Sequence, residues 1–129
     1  MAGTIVADTL QDGAGNSTAM DNAIYGSAKA WVNFSANGGT VSIKKSYNVS
    51  SITVTVSGSQ YTVNFTNALA DANYSVIGTS TYASSTGTSG RTLQPYSVAT
   101  NTASSCNLRP YAISAASNEA DGMYAAFYD

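Results

Sequence analysis

Seven carboxylates, one thiol and no histidine are all that this 129-residue chain offers to acid–base or nucleophilic chemistry. General acid–base catalysis near neutral pH draws on histidine, or on carboxylates that their surroundings push towards neutrality. Asp8, Asp12, Asp21, Asp71, Glu119, Asp121 and Asp129 lie almost all in turn-like contexts, where a carboxylate accepts hydrogen bonds from nearby backbone amides. Cys106 is the one cysteine. It has no internal disulfide partner, no CxxC spacing and no histidine to take its proton, so it reads as a small, partly buried apolar residue. Serine is abundant without a GxSxG elbow, and Gly13–Gly15 (GAG) is too short to cradle a phosphate. Calcium needs a dense oxygen cluster, and only Asp8 and Asp12 hint at one. The sequence therefore assigns no catalytic residue, no metal ligand and no cofactor, and an enzyme is not expected.

What remains is contact. Only 9% of the residues are charged, against about a quarter in an ordinary soluble domain. Small neutral polar side chains replace those charges, and such a surface packs against a partner at a lower desolvation cost. The basic residues stand singly or as the pair Lys44–Lys45, which is no phosphate-binding cluster, so nucleic acid is not an expected partner. Nine tyrosines stand against three phenylalanines and one tryptophan in a Ser/Thr/Gly/Asn background. That mixture suits binding surfaces, because tyrosine offers a large ring and one hydroxyl at low entropic cost. It also suits saccharides, whose CH faces stack on rings. Tyr61, Tyr74 and Tyr124 fall at inward-facing strand positions and are assigned to the core. Tyr82, Tyr96 and Tyr111 flank the small polar segment Ala83–Gly90 or the prolines. With Arg91 and Arg109 they form the candidate receptor-contact set. Asn-x-Ser/Thr triplets at Asn16, Asn33, Asn48, Asn64 and Asn73 are read as compositional, not as glycosylation sites.

The elements that must position these residues read as strands. The length suits one domain with a single core. Residues 1–26 read as a β-prone segment, Gly3–Leu10, and a connector, Gln11–Asn22, with a weaker helical pattern at Thr18–Ser27; residues 27–129 form the β-rich domain. Lys29–Phe34 and Thr40–Lys45, the latter with Val41 and Ile43 on one face, form a hairpin around Ala36–Gly39, whose residues tolerate positive φ. Tyr47–Val56 continues as one or two strands. Tyr61–Phe65 returns after Ser57–Gln60 with Tyr61, Val63 and Phe65 inward, through a turn suited to a G1 bulge. Thr66–Ala72 is a connector with room for one helical turn. Further strands are expected at Asn73–Thr81, Arg91–Val98, Ser104–Ser114 and Gly122–Tyr128, the last after a turn at Asn118–Asp121. Pro95 and Pro110 donate nothing to a ladder, which predicts edge positions or bulges for their strands. The fold class is all-β, an antiparallel sandwich or barrel of short strands. Its charge-poor strand edges invite pairing with other chains, which leaves open a β-rich subunit completed only by its oligomer. Apolar runs are too short to cross a membrane, and Met1–Leu10 lacks the marks of a signal peptide.

Three blocks, KAWVNF (Lys29–Phe34), GTVSIKKSYNVSSIT (Gly39–Thr53) and YTVNFTNALADANYSV (Tyr61–Val76), resemble a module of bacteriophage tail fibres and related virion proteins, above all in phages of cyanobacteria and other marine bacteria. The opening GTIVADTLQDGAGN (Gly3–Asn16) is similar to segments that precede this module. The resemblance covers roughly residues 3–76 and fades after Ala83. It departs at Val54–Gln60, where an Asp/Gly-rich turn is usual and this chain continues the strand, and in context, since the module usually ends a long polypeptide. It implies a β-rich homotrimer on the virion, tail or capsid surface, made in the host cytoplasm, with no cofactor and no enzymatic activity. The expected function is a tail-fibre or tail-tip component that binds a host surface polysaccharide. The alternative is a capsid decoration or cement protein, or an adaptor that fastens a fibre to other virion proteins. A polysaccharide-cleaving spike fits poorly, because its paired carboxylates are missing.

Overall fold

Alternating apolar and polar residues build one antiparallel sheet of eight strands and a separate two-stranded ribbon. The computed structural model describes residues 3, 7–19, 23, 26–37, 40–56, 60–82, 91–97, 100–112 and 120–129. The ribbon consists of β1 (Thr9–Gln11) and β2 (Ser17–Ala19). The sheet holds β3 (Ala30–Asn37), β4 (Thr40–Tyr47), β5 (Val49–Val56), β6 (Gln60–Phe65), β7 (Ser75–Tyr82), β8 (Arg91–Pro95), β9 (Ser105–Ala112) and β10 (Ala120–Tyr128). Its order is β4-β3-β10-β7-β8-β9-β6-β5. The two edge strands, β4 and β5, follow one another in sequence and meet at Asn48, so the sheet curls into a nearly closed barrel. The all-β antiparallel class is thus that read from the residues.

One residue in two points inward. β3 buries Ala30, Val32, Phe34 and Ala36; β6 buries Tyr61, Val63 and Phe65; β9 buries Cys106 and Leu108; β10 buries Met123, Ala125 and Phe127. Leu69, Tyr74 and Leu93 complete the core, with Val41, Val49, Ile52, Val54 and Val76 packed against it. Phe65, Tyr74 and Phe127 meet edge to face at centroid distances of 5.0–6.0 Å, the favoured arrangement of ring quadrupoles.

Asn48 makes the corner. Its φ is 53°, a left-handed conformation that asparagine adopts more readily than most residues. Its Nδ2 donates to the carbonyls of Lys29 and Asn67 at 3.1 Å each, and its Oδ1 accepts from the Asn67 amide at 2.8 Å. One side chain thereby ties the β4–β5 corner to the start of β3 and the end of β6.

Several expectations are corrected. Tyr124 is no core residue: Met123, Ala125 and Phe127 take the inner face, which turns Tyr124 outward, 42% exposed. Val41 and Ile43 do share a face, opposite the buried Ala36 and Phe34, but on the edge strand Ile43 stays exposed, beside a register shift that leaves Lys44 unmatched. β8 and β9 lie in the sheet interior, not at its edge. Their prolines are tolerated because a neighbour stops locally. Pairing of β7 with β8 covers only Thr92 and Arg91, and pairing of β6 with β9 ends at Leu108, so Pro95 and Pro110 each have a registered partner on one side only. Part of the expected connector is strand: Gln11 and Ser17–Ala19 pair across a turn that the Asp12 carboxylate organises by accepting from the Ala14 and Asn16 amides and from Asn16 Nδ2, each at 2.9 Å. Those bonds hold the Asp12 carboxyl below its usual range. Thr66–Ala72 forms no helical turn. Ser57–Ser59, Ala83–Gly90 and Asn118–Glu119 lie outside the described residues.

Candidate ligand-binding surface

Strand order divides the outer face into three regions. Across β5, β6 and β9 runs a ladder of hydroxyls and amides. Asn64 Nδ2 donates to Ser51 Oγ at 3.0 Å and Thr53 Oγ1 at 3.1 Å, the Thr55 and Thr62 hydroxyls share a hydrogen bond of 2.9 Å, and Thr62 donates to Asn107 Oδ1. Asn107 Nδ2 continues to the Thr100 carbonyl and hydroxyl at 3.2 and 3.0 Å. These groups satisfy one another, so this region is polar yet needs little from water.

The second region crosses β4, β3, β10 and β7. The register aligns Tyr47, Trp31, Ala126 and Ile77 in one row and Lys45, Asn33, Tyr124 and Thr79 in the next. Ala126 is too small to cover the strands, and Trp31, Ile77 and Tyr124 rise around it to form an open groove of about 400 Å³. Ile77 is 64% and Tyr47 58% exposed. Asn33, at the groove, keeps a buried Oδ1 that accepts no hydrogen bond among the described residues.

Between these regions, on β8 and β9, stands the third. Arg109 and Tyr111 are neighbours on the outer face of β9. Tyr96 follows the end of β8, anchored by its amide to the Asn107 carbonyl at 2.8 Å. The Arg109 guanidinium carbon lies 5.7 Å from the Tyr96 ring centre and 5.8 Å from that of Tyr111, within cation–π range of both. The rings are about half exposed, Tyr96 48% and Tyr111 46%. Arg109 Nε is buried without an acceptor among the described residues. Gln94 and Thr92, both exposed, face Arg109 and Tyr111 across the β8–β9 register.

Of the five receptor-contact candidates, the structure brings Tyr96, Arg109 and Tyr111 together. Tyr82 and Arg91 are placed by their backbones alone. Tyr82 ends β7 opposite Ala120, and Arg91 opens β8 opposite Ser80 and Ala112. The sequence reading missed the apolar row, although a signal for it exists. Ala30–Trp31–Val32, Val76–Ile77 and Met123–Tyr128 interrupt the alternation with apolar residues on both faces, as expected of a strand covered on two sides.

Among the described residues the thiol and three carboxylates, Asp12, Asp71 and Asp129, have structural roles. Cys106 is fully buried and free, and burial pushes its thiol up to about 11, the opposite of what activates a nucleophile. Asp71 accepts from the Asn73 amide and Nδ2, which lowers its carboxyl. The Asp129 carboxylate accepts from the Ala70 amide. Among the described residues no three His, Cys, Asp or Glu side chains group to hold a metal ion, and no helix is long and apolar enough to cross a membrane.

The fold and surface define an all-β antiparallel barrel with an aromatic–guanidinium cluster beside a neutral polar ladder. No protein-family model matches this chain, and comparisons with curated proteins and with solved structures find no match.

Proposed function

We propose that this chain is a non-enzymatic component of a bacteriophage particle, a tail-fibre or tail-tip protein that binds a host surface polysaccharide. The observation that carries the reading is the outer face of β8 and β9, where two half-exposed tyrosine rings flank one arginine opposite the exposed amide of Gln94 and hydroxyl of Thr92. Rings of this kind stack on the CH faces of sugars, while neutral polar groups meet sugar hydroxyls without the desolvation cost of charges. The resemblance of Lys29–Phe34, Gly39–Thr53 and Tyr61–Val76 to phage fibre modules supports the same reading. Purified protein is expected to adsorb to susceptible cells and to compete with the phage. Undiminished infection under saturating protein rejects the reading.

A second reading, a capsid decoration or cement protein or a fibre adaptor, is favoured by the apolar row Tyr47, Trp31, Ala126 and Ile77. A contiguous exposed apolar patch is characteristic of protein–protein contact. In the first reading sister subunits of a homotrimer lie against the row; in the second another virion protein does. Microscopy of intact particles separates them: density at the tail tip supports the first, and density at capsid lattice positions the second.

A further inference from the structure

We infer that the saccharide recognised on β8 and β9 is acidic, and that Arg109 pairs with its carboxylate between Tyr96 and Tyr111; this rests on the polysaccharide-binding reading above. Arginine presents five N–H donors in a planar fork. Among the described residues the Arg109 side chain makes no ion pair and its Nε no hydrogen bond; its side-chain contacts there are the two tyrosine rings, at 5.7 and 5.8 Å. A buried N–H left without an acceptor costs roughly 1–3 kcal/mol. A free surface arginine avoids that cost by turning its head into water. Here the two rings lie against the guanidinium and its Nε is buried, so the cation is set between them with no acidic partner among the described residues.

The surroundings narrow that complement. Arg91, on β8, and Arg109, on β9, are the chain's two arginines, and the remaining cations, Lys29, Lys44 and Lys45, belong to the other side of the sheet order, on β4 or next to β3. One fixed guanidinium suits one isolated oxyanion per binding subsite, not the dense charge of a nucleic acid. A planar carboxylate matches the fork with two parallel hydrogen bonds, which a lysine cannot reproduce. The exposed rings supply stacking platforms on either side, and Gln94 and Thr92 place an amide and a hydroxyl opposite Arg109 and Tyr111. Uronic-acid residues within a polysaccharide combine these features: a carboxylate, CH faces and hydroxyls.

Native gel electrophoresis of the full chain through matrices containing polygalacturonate, its carboxyl-reduced form or dextran sulfate tests the assignment, with mobility in a plain gel as reference. Polygalacturonate is expected to retard the wild type at physiological salt, and the carboxyl-reduced polymer to leave it unretarded. Arg109→Gln should weaken retention about tenfold, the loss of one charged hydrogen-bonded contact. Arg109→Lys should also weaken it, because charge without the fork does not suffice. Circular dichroism of both variants checks that they remain folded, so that lost retention reports on binding. The assignment is overturned by no retardation of the wild type, by equal retardation of R109Q, by retention in the carboxyl-reduced gel, or by equal or stronger retention in dextran sulfate. The reading beneath it fails separately, if the chain does not compete with phage for susceptible cells.

Discussion

At Asn48 an unfavourable backbone angle and three side-chain hydrogen bonds coincide. Two substitutions separate the contributions. Asn48→Gly keeps access to a φ of 53° but loses the three bonds; Asn48→Ala loses them and also places a Cβ in the left-handed region. Denaturant unfolding should show losses of about 2–3 kcal/mol for Gly and about 1 kcal/mol more for Ala. Equal losses would place the energy in the bonds alone. Cys106 sets a pH dependence. Its thiol, ordinarily at 9.0, is raised to about 11 by burial, with a hydrogen bond to Tyr74 acting weakly against that shift. The native state holds the neutral thiol while the unfolded chain releases its proton nearer 9.0. The stabilisation is therefore complete below pH 9 and disappears as the pH rises towards 11. The melting temperature should fall across that window, and Cys106→Ala should flatten the fall, leaving the part due to Tyr74, also raised by burial. An unchanged slope in the variant would assign the effect elsewhere.

At the scale of elements, the close approach of β7 and β8 depends on Gly78. A Cβ there would stand 2.5 Å from the Leu93 carbonyl oxygen and 3.0 Å from its Cβ. Neither backbone nor buried leucine can yield easily. Gly78→Ala should cost about 1–3 kcal/mol by overpacking, read by thermal or denaturant unfolding, and wild-type stability would show that the strands separate freely. The hairpins β3–β4 and β5–β6 were legible from alternation and turn residues, because both signals are local. Pro95 and Pro110 were legible as residues needing an open ladder position. Their strands were not legible as interior ones, since whether a neighbouring strand stops short is decided far away in sequence. The ribbon β1–β2 was hidden for another reason: Asp12 and Asn16 build its turn through side-chain bonds, while composition marks the same residues only as loop.

The whole molecule presents an apolar row on one side and a self-satisfied polar ladder on the other. A barrel whose interior is already filled gains nothing from outward Trp31, Ile77, Tyr47 and Tyr124, which points to subunit contact. The wild type should sediment as a trimer, and Ile77→Lys should shift it towards the monomer while barely changing the stability of the fold, because Ile77 is 64% exposed and surface substitutions typically stay within about 0.5 kcal/mol. A wild type that stays monomeric at micromolar concentration would remove the homotrimer from the proposed function. The residues alone determined the all-β class, the inward set Tyr61, Val63 and Phe65, and the identities of Tyr96, Arg109 and Tyr111 as surface candidates. Only the tertiary structure decided that Arg109 stands between those two rings, that Tyr124 faces outward, and that Trp31, Ala126 and Ile77 share one row. Alternation along a strand is a local property with a period of two, whereas lateral neighbours depend on strand order and register. Here β10, at the far end of the chain, enters between β3 and β7 and assembles the face that no single segment contains.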